Sequence, residues 1–156
     1  MARQNITHIN GGVINRQEYQ AENDMFTELY GMQKTVTSGT PTAGAANTTS
    51  VTFTVTDGNG SAVTTTQVLE CWISAAATGD SLTTTTASGA LTASAGTILT
   101  AHTAKKHVTA TTTTAGVLTL VLVDSAKTQN ERFCCKNPTT GQIVIGTATV
   151  TASYGA

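Results

Sequence analysis

The chain is poor in charge: 11% of its 156 residues are Asp, Glu, Lys or Arg, where about 25% is usual for a soluble domain. Eight basic residues against nine acidic ones give a formal net charge of −1. Such a balance builds no basic field for a phosphate backbone or an anionic membrane, so neither nucleic acid nor a membrane is an expected partner. Long apolar runs are missing as well. No stretch reaches the roughly 18 residues of a membrane span, and MARQNITHINGGV lacks the apolar run of a secretory signal. The expectation is a protein folded in the cytosol. Histidine is confined to His8, His102 and His107, with no His-x-x-x-His pair beside a carboxylate to hold zinc or complete a nucleophilic triad. The cysteines, Cys71, Cys134 and Cys135, have no CxxC spacing, which argues against a zinc knuckle or a disulfide framework. Cys71 reads as a small buried apolar side chain and the thiols as reduced, with a Cys71 to Cys134 bridge as the alternative. Aromatic residues are only 4% of the chain and leave few platforms for stacking sugars. No metal, cofactor or catalytic residue is expected, and the chain does not read as an enzyme.

What is abundant is threonine, 35 of 156 residues, a β-forming composition. The length suits one domain. Leu, Ile, Val and Phe total 30 residues, a share low enough to border on disorder, but the small net charge argues for a folded, thin-cored chain. Charge is unevenly spread: seven charged residues lie in the first 34, and the next seventy hold only Asp57, Glu70 and Asp80. This divides the chain into an N-terminal arm and helix over residues 1–34, a Gly, Ala and Pro-containing linker over 35–49, and a β-domain over 50–156.

Within the first part, Asn15 followed by Glu18 has capping-box spacing and predicts a helix from Arg16 to Tyr30, about 22 Å long, with Gly31 as its stop. Tyr19, Phe26, Leu29 and Tyr30 fall near one face at helical period and are the candidate partner-binding residues. They either cover the β-domain of the same chain or dock on another subunit. Residues 1–14, interrupted by Gly11-Gly12, read as an extended arm.

From residue 50 the period is two. Val51, Phe53 and Val55 alternate with Thr52, Thr54 and Thr56, a half-buried strand, and Asp57-Gly58-Asn59-Gly60 turns the chain. Gln67 to Ser74 reads as a central strand, since both its faces are partly apolar. Residues 82–104 hold short Thr/Ala/Gly segments without fixed boundaries. His107 to Thr114 reads as an edge strand, Val117 to Asp124 as a buried one, and Arg132 to Lys136 and Gln142 to Ala152 as two more joined by a turn at Asn137-Pro138. Short β-segments at this spacing predict an all-β, antiparallel two-sheet sandwich.

VTFTVTDGNGSAV resembles the first hairpin of bacterial immunoglobulin-like domains. The order that follows, a strand ending in Trp72-Ile73-Ser74, a Thr/Gly-rich middle, GVLTLVLVD and NPTTGQIVIG, is similar to small immunoglobulin-like sandwich proteins of tailed bacteriophage virions, over about residues 50–152. Antibody-type domains match less well, because Cys71 directly precedes Trp72. The resemblance implies a structural virion protein, foremost a capsid decoration or cement protein on the head. Its partners would be the major capsid protein or other virion subunits, in a homo-oligomer or larger shell whose neighbours order the arm. The alternative is a tail or fibre-associated adhesive module that binds carbohydrate.

Three further motifs have plainer readings. Asp57, Asn59 and Ser61 alternate like the start of an EF-hand loop, but Val68 stands where the bidentate glutamate belongs, so a structural turn is expected. Lys105-Lys106-His107 reads as the charged guard of an edge strand in preference to a phosphate site. The sequons at Asn5, Asn47 and Asn59 carry no meaning without export.

Overall fold

A computed structural model describes residues 16–156. The expected arm, the Asn15 cap and the side chains of Glu18, Tyr19 and Tyr30 lie outside the described residues. Helix α1 (Arg16–Met32) runs past its expected stop, and Lys34 donates from Nζ to the Gly31 carbonyl at 3.4 Å, placing a cation at the negative end of the helix. After Gln33 alone the chain enters β1 (Lys34–Ser38) and then β2 (Thr42–Ala43), β3 (Thr48–Asp57) and β4 (Val68–Ser74). β5 (Leu91–Ala95), β6 (Thr97–Thr103), β7 (His107–Thr111), β8 (Val117–Val123), β9 (Arg132–Lys136) and β10 (Ile143–Ile145) complete the strands, and a 3-10 turn, Thr151–Ser153, follows them.

These strands form two antiparallel sheets. Sheet one has the order β1-β3-β8-β5 with β2 also on β3, and sheet two the order β10-β9-β4-β7-β6. Period-two sequence puts Val51, Phe53 and Val55 of β3 and Leu118, Leu120 and Leu122 of β8 inward from sheet one. Leu69, Cys71 and Ile73 of β4, Val108 and Ala110 of β7, and Phe133 and Cys135 of β9 meet them from sheet two in one continuous core. Threonine lines much of the outer face of sheet one, where the Thr52 and Thr119 hydroxyls bond across β3 and β8 at 2.9 Å. The described residues thus form an all-β, two-sheet antiparallel structure with one helix.

Several expectations are corrected. The linker placed at 35–49 belongs to the sheet: β1 pairs with β3 in the register Val36 to Val55, and Val36 is buried because Lys-Thr-Val-Thr-Ser alternates like any other strand here. The strand at His107 is internal, since β7 lies between β4 and β6, and the edge on that side of the sheet is β6. Its polarity is that of a threonine outer face, while Val108 and Ala110 point into the core. The last strand stops at Ile145, because Gly146 pairs its N–H with the Phe133 carbonyl and the chain then leaves the ladder to bury Thr149 and Ser153. The two lysines are ties for a loop. Lys105 donates from Nζ to the Ala87 and Ser88 carbonyls, and Lys106 to those of Thr83 and Thr84, all at 3.0–3.1 Å.

One glycine fixes the crossing between sheets. Gly96 is the single residue between β5 and β6, with φ +83°, and a Cβ there would strike the Thr111 carbonyl and stand 2.9 Å from Leu118 Cδ1. The Asp57 turn is structural as expected: the Asp57 carboxylate accepts from the Asn59 N–H at 2.9 Å and the Ser61 N–H at 2.8 Å, and Gly60 takes φ +82°.

Candidate functional site

The helix presents an uncovered apolar face. Phe26 and Leu29, two of the four residues expected to bind a partner, are 51% and 54% exposed. The side chains of the other two, Tyr19 and Tyr30, lie outside the described residues. Met25 and Met32, which the sequence reading passed over, are 58% and 65% exposed and stand at i−4 and i+3 from Leu29, completing a stripe down one side. The helix is held to the sandwich by polar contacts along its second half, with Asn59 Nδ2 donating to the Thr27 carbonyl at 3.4 Å. Phe26 and Leu29 each keep about half of their surface in water, and both sequence alternatives, cover for the β-domain and docking on another subunit, stay open to them. The two methionines were legible as members of the same helical face; their unbranched, polarisable side chains suit an adaptable contact surface.

A second surface is a shallow groove of about 750 Å³ on the outer face of sheet two, lined by Val68, Glu70, His102, Thr109, Lys136 and the turn at 137–141. β4, β7 and β6 set its floor in register, and Asn137 shapes its wall by accepting at Oδ1 from the Thr139 and Thr140 N–H groups at 2.9 and 3.1 Å. Its polar contacts are paired: His107 Nε2 lies 2.9 Å from Glu70 Oε1, and His102 Nε2 lies 2.7 Å from Thr109 Oγ1. The two imidazoles pack with centroids 4.7 Å apart, and Trp72 meets His107 edge-on at 6.4 Å. No sequence spacing signals this pairing, because it emerges only once β6 and β7 form a hairpin with Lys105 at φ +66°.

Chemically the groove is limited. A threonine hydroxyl beside an imidazole is the first requirement of a nucleophile and base, and the His102 ring also packs on that of His107 at 4.7 Å between centroids. Among the described residues no three His, Cys, Asp or Glu side chains converge as metal ligands. The Trp72 indole N–H, the polar handle a sugar would use, already donates to the Gly79 carbonyl at 2.7 Å.

Buried ionisable groups lie instead in and beside the loop after β8. Burial acts to raise Asp124, but bonds from the Thr128 hydroxyl and the Thr128, Ala126 and Ser88 N–H groups outweigh it and hold the carboxyl below the ordinary range. Glu131 is pushed up by burial against the opposing bond from Thr83 Oγ1 at 2.8 Å. Tyr154, whose hydroxyl donates to the Thr128 carbonyl at 2.7 Å, is pushed up to about 12, chiefly by burial. These groups fasten loop to sheet and open onto no cavity described above.

Comparison with protein-family models, with curated proteins and with solved structures yields no match for this chain.

Proposed function

We propose that this chain is a non-enzymatic structural subunit of a tailed-phage virion, an immunoglobulin-like sandwich fastened to the head as a decoration or cement protein by its N-terminal region. The observation that carries the attachment is the uncovered face of Met25, Phe26, Leu29 and Met32 on a helix that enters the sandwich through one residue. An isolated subunit gains nothing from holding the outer halves of four large apolar side chains in water, whereas covering them against a capsid subunit returns roughly half of the 1.5–3 kcal/mol that full burial of each would give. The immunoglobulin-like reading is supported by strand order: β1-β3-β8-β5 facing β10-β9-β4 follows the ABED and GFC layout, with the β6–β7 hairpin added beside β4. The virion assignment draws on the resemblance of VTFTVTDGNGSAV and GVLTLVLVD to phage sandwich proteins. An inert threonine face suits a protein whose work is many weak contacts on a particle.

The experiment adds the purified full chain to heads from phage lacking it and counts bound copies by sedimentation and imaging. The double variant Phe26→Ser, Leu29→Ser should unfold like wild type and lose at least about tenfold in affinity, the equivalent of 1.4 kcal/mol. Full occupancy by the variant would sink the attachment role of the helix. Failure of wild type to bind heads at all would sink the decoration reading. The second reading, a tail or fibre-associated adhesive module that binds carbohydrate, would have to use the groove on sheet two, and binding of the full chain to arrayed glycans, lost in Glu70→Gln, would select it.

A further inference from the structure

We propose that Cys71 and Cys135 are the two ends of a cross-strand disulfide that forms when the chain meets an oxidising environment. All three cysteines are free and buried in this structure, and the sheet register sorts them. β4 and β9 run antiparallel with Cys71 opposite Cys135 and Trp72 opposite Cys134. The hydrogen-bond pattern assigns the pair its type. The Ile73 N–H points to β7, where it donates to the Lys106 carbonyl at 2.8 Å, and the Phe133 carbonyl points to the β10 side, where it accepts from Gly146 at 2.9 Å. Backbone groups alternate in direction along a strand, so Cys71 and Cys135, two residues along from Ile73 and Phe133, also face away from each other's backbone. They form a non-hydrogen-bonded pair. Such pairs bring Cα atoms to about 4.5 Å, inside the roughly 4.4–6.8 Å that a disulfide spans.

Both side chains lie on the inner face, in the core shared by the two sheets. Cys134 is on the other face, under the loop of Gly79, where a Cβ on that glycine would stand 3.0 Å from its Sγ. That placement overturns the Cys71 to Cys134 alternative, because the sheet itself separates the two sulfurs. Folding also guards the pair. The Cys71 thiol is pushed up first by the Cys135 thiol beside it and then by burial, and burial pushes Cys134 up to about 11. Thiolates are therefore scarce in the closed sheet, and exchange takes place while sheet two is open or still forming.

The oxidant is a small-molecule disulfide. One thiolate of the pair attacks it, forming a mixed disulfide and releasing one small thiol. The second thiolate then attacks the protein sulfur of that mixed disulfide, closing the Cys71–Cys135 bond and releasing the second small thiol. Two protein thiols and one disulfide become one protein disulfide and two small thiols, the oxidant accepting two electrons and the two protons. This rests on the register of sheet two and is independent of the virion reading.

The test unfolds the full chain in urea, refolds it with oxidised glutathione, removes the reagent and alkylates. The expected product has lost two hydrogens and carries a single alkyl group, and dithiothreitol lowers its melting temperature. Cleavage at Lys and Arg leaves Cys134 and Cys135 in one peptide, residues 133–136, so the variant Cys134→Ser makes the assignment: its 133–136 peptide should be joined to the peptide 35–105 that holds Cys71. Fragmentation of the linked wild-type peptide gives the same assignment without relying on a variant that folds. A bridge through Cys134, glutathione left on both Cys71 and Cys135, or three alkylated thiols would each overturn the proposal.

Discussion

At the scale of single residues, the two buried carboxylates pull stability in opposite directions with pH. Asp124 is almost fully buried, yet its folded value lies below the ordinary 3.8, because the Thr128 hydroxyl and the Thr128 and Ala126 N–H groups donate to the carboxylate. A depressed value means stability that is present above the unfolded value and is lost as pH falls through the folded one. Asp124→Asn keeps the shape but offers an amide N–H₂ to donors at one position, and should cost about 1–3 kcal/mol at neutral pH in urea denaturation. The gap from wild type should narrow in acid, where the wild-type carboxyl also becomes protonated. Glu131 has the other sign. Its folded value is raised, so its stability is present in acid and is lost as pH rises from the ordinary 4.5 through the folded value. Glu131→Gln retains an acceptor for the Thr83 hydroxyl and should lack that decline, gaining on wild type as pH rises through this window. If both proteins lose stability in parallel there, Glu131 is not the group responsible.

At the scale of elements, the sequence was legible wherever period two ran long enough to show. Val51 to Val55 and Leu118 to Leu122 alternate with threonine or valine, and both segments are strands with those residues buried. Gly39, Pro41 and Gly44 give β1 and β2 the look of a linker, and the alternation of five-residue β1 rests on a single apolar residue, Val36, too little to stand out against them. Strands in residues 82–104 can be placed only loosely from sequence for a different reason: β6, an edge strand whose residues are mostly exposed, has no inward face to mark its bounds in Thr-Ile-Leu-Thr-Ala-His-Thr. Half of the candidate helical face was equally legible, since Phe26 and Leu29 stood out as large apolar residues at helical spacing. The His102 and His107 contact was not, because it depends on the β6–β7 hairpin. Turns divide the same way, since a glycine in sequence does not say what its missing side chain leaves room for. Gly60 and Gly96 have nearly equal φ, +82° and +83°, but a Cβ on Gly60 meets nothing within 4 Å, while one on Gly96 meets Thr111 backbone and Leu118. Gly60→Ala should therefore cost only the left-handed backbone term, about 1–2 kcal/mol, and Gly96→Ala clearly more by urea midpoint. Equal losses would show that backbone conformation, and not the close crossing of β5 into β6, sets the need for glycine at 96.

At the scale of the whole molecule, the question is where the self-sufficient fold begins. Among the described residues the first member of the core is Val36, and the exposed positions Met25, Phe26, Leu29 and Met32 all precede it. The sandwich closes through residues just beyond the helix. β1 covers β3 from Lys34 opposite Asp57 to Ser38 opposite Phe53, Asn137 Nδ2 reaches back to the Lys34 carbonyl at 2.8 Å, and Ala46 bridges Gly155 near the other end of the chain. Two truncations should thus behave in opposite ways. Among the described residues, removing 1–33 takes away no core side chain and two weak polar ties at 3.4 Å, so unfolding should remain cooperative and within about 0.5 kcal/mol of the full chain. Removing residues 1–47 deletes Val36, leaves the Asn137 amide without its partner and strips β3 of its neighbours, baring a ladder of N–H and C=O groups along a β-branched strand. That protein should lose at least about 2 kcal/mol and associate through the open edge, visible as concentration-dependent sedimentation. Collapse of the shorter truncation would mean that the helix belongs to the fold and that its apolar face is not free to bind a partner; a stable, monomeric longer truncation would mean that β1 and β2 are appendages after all.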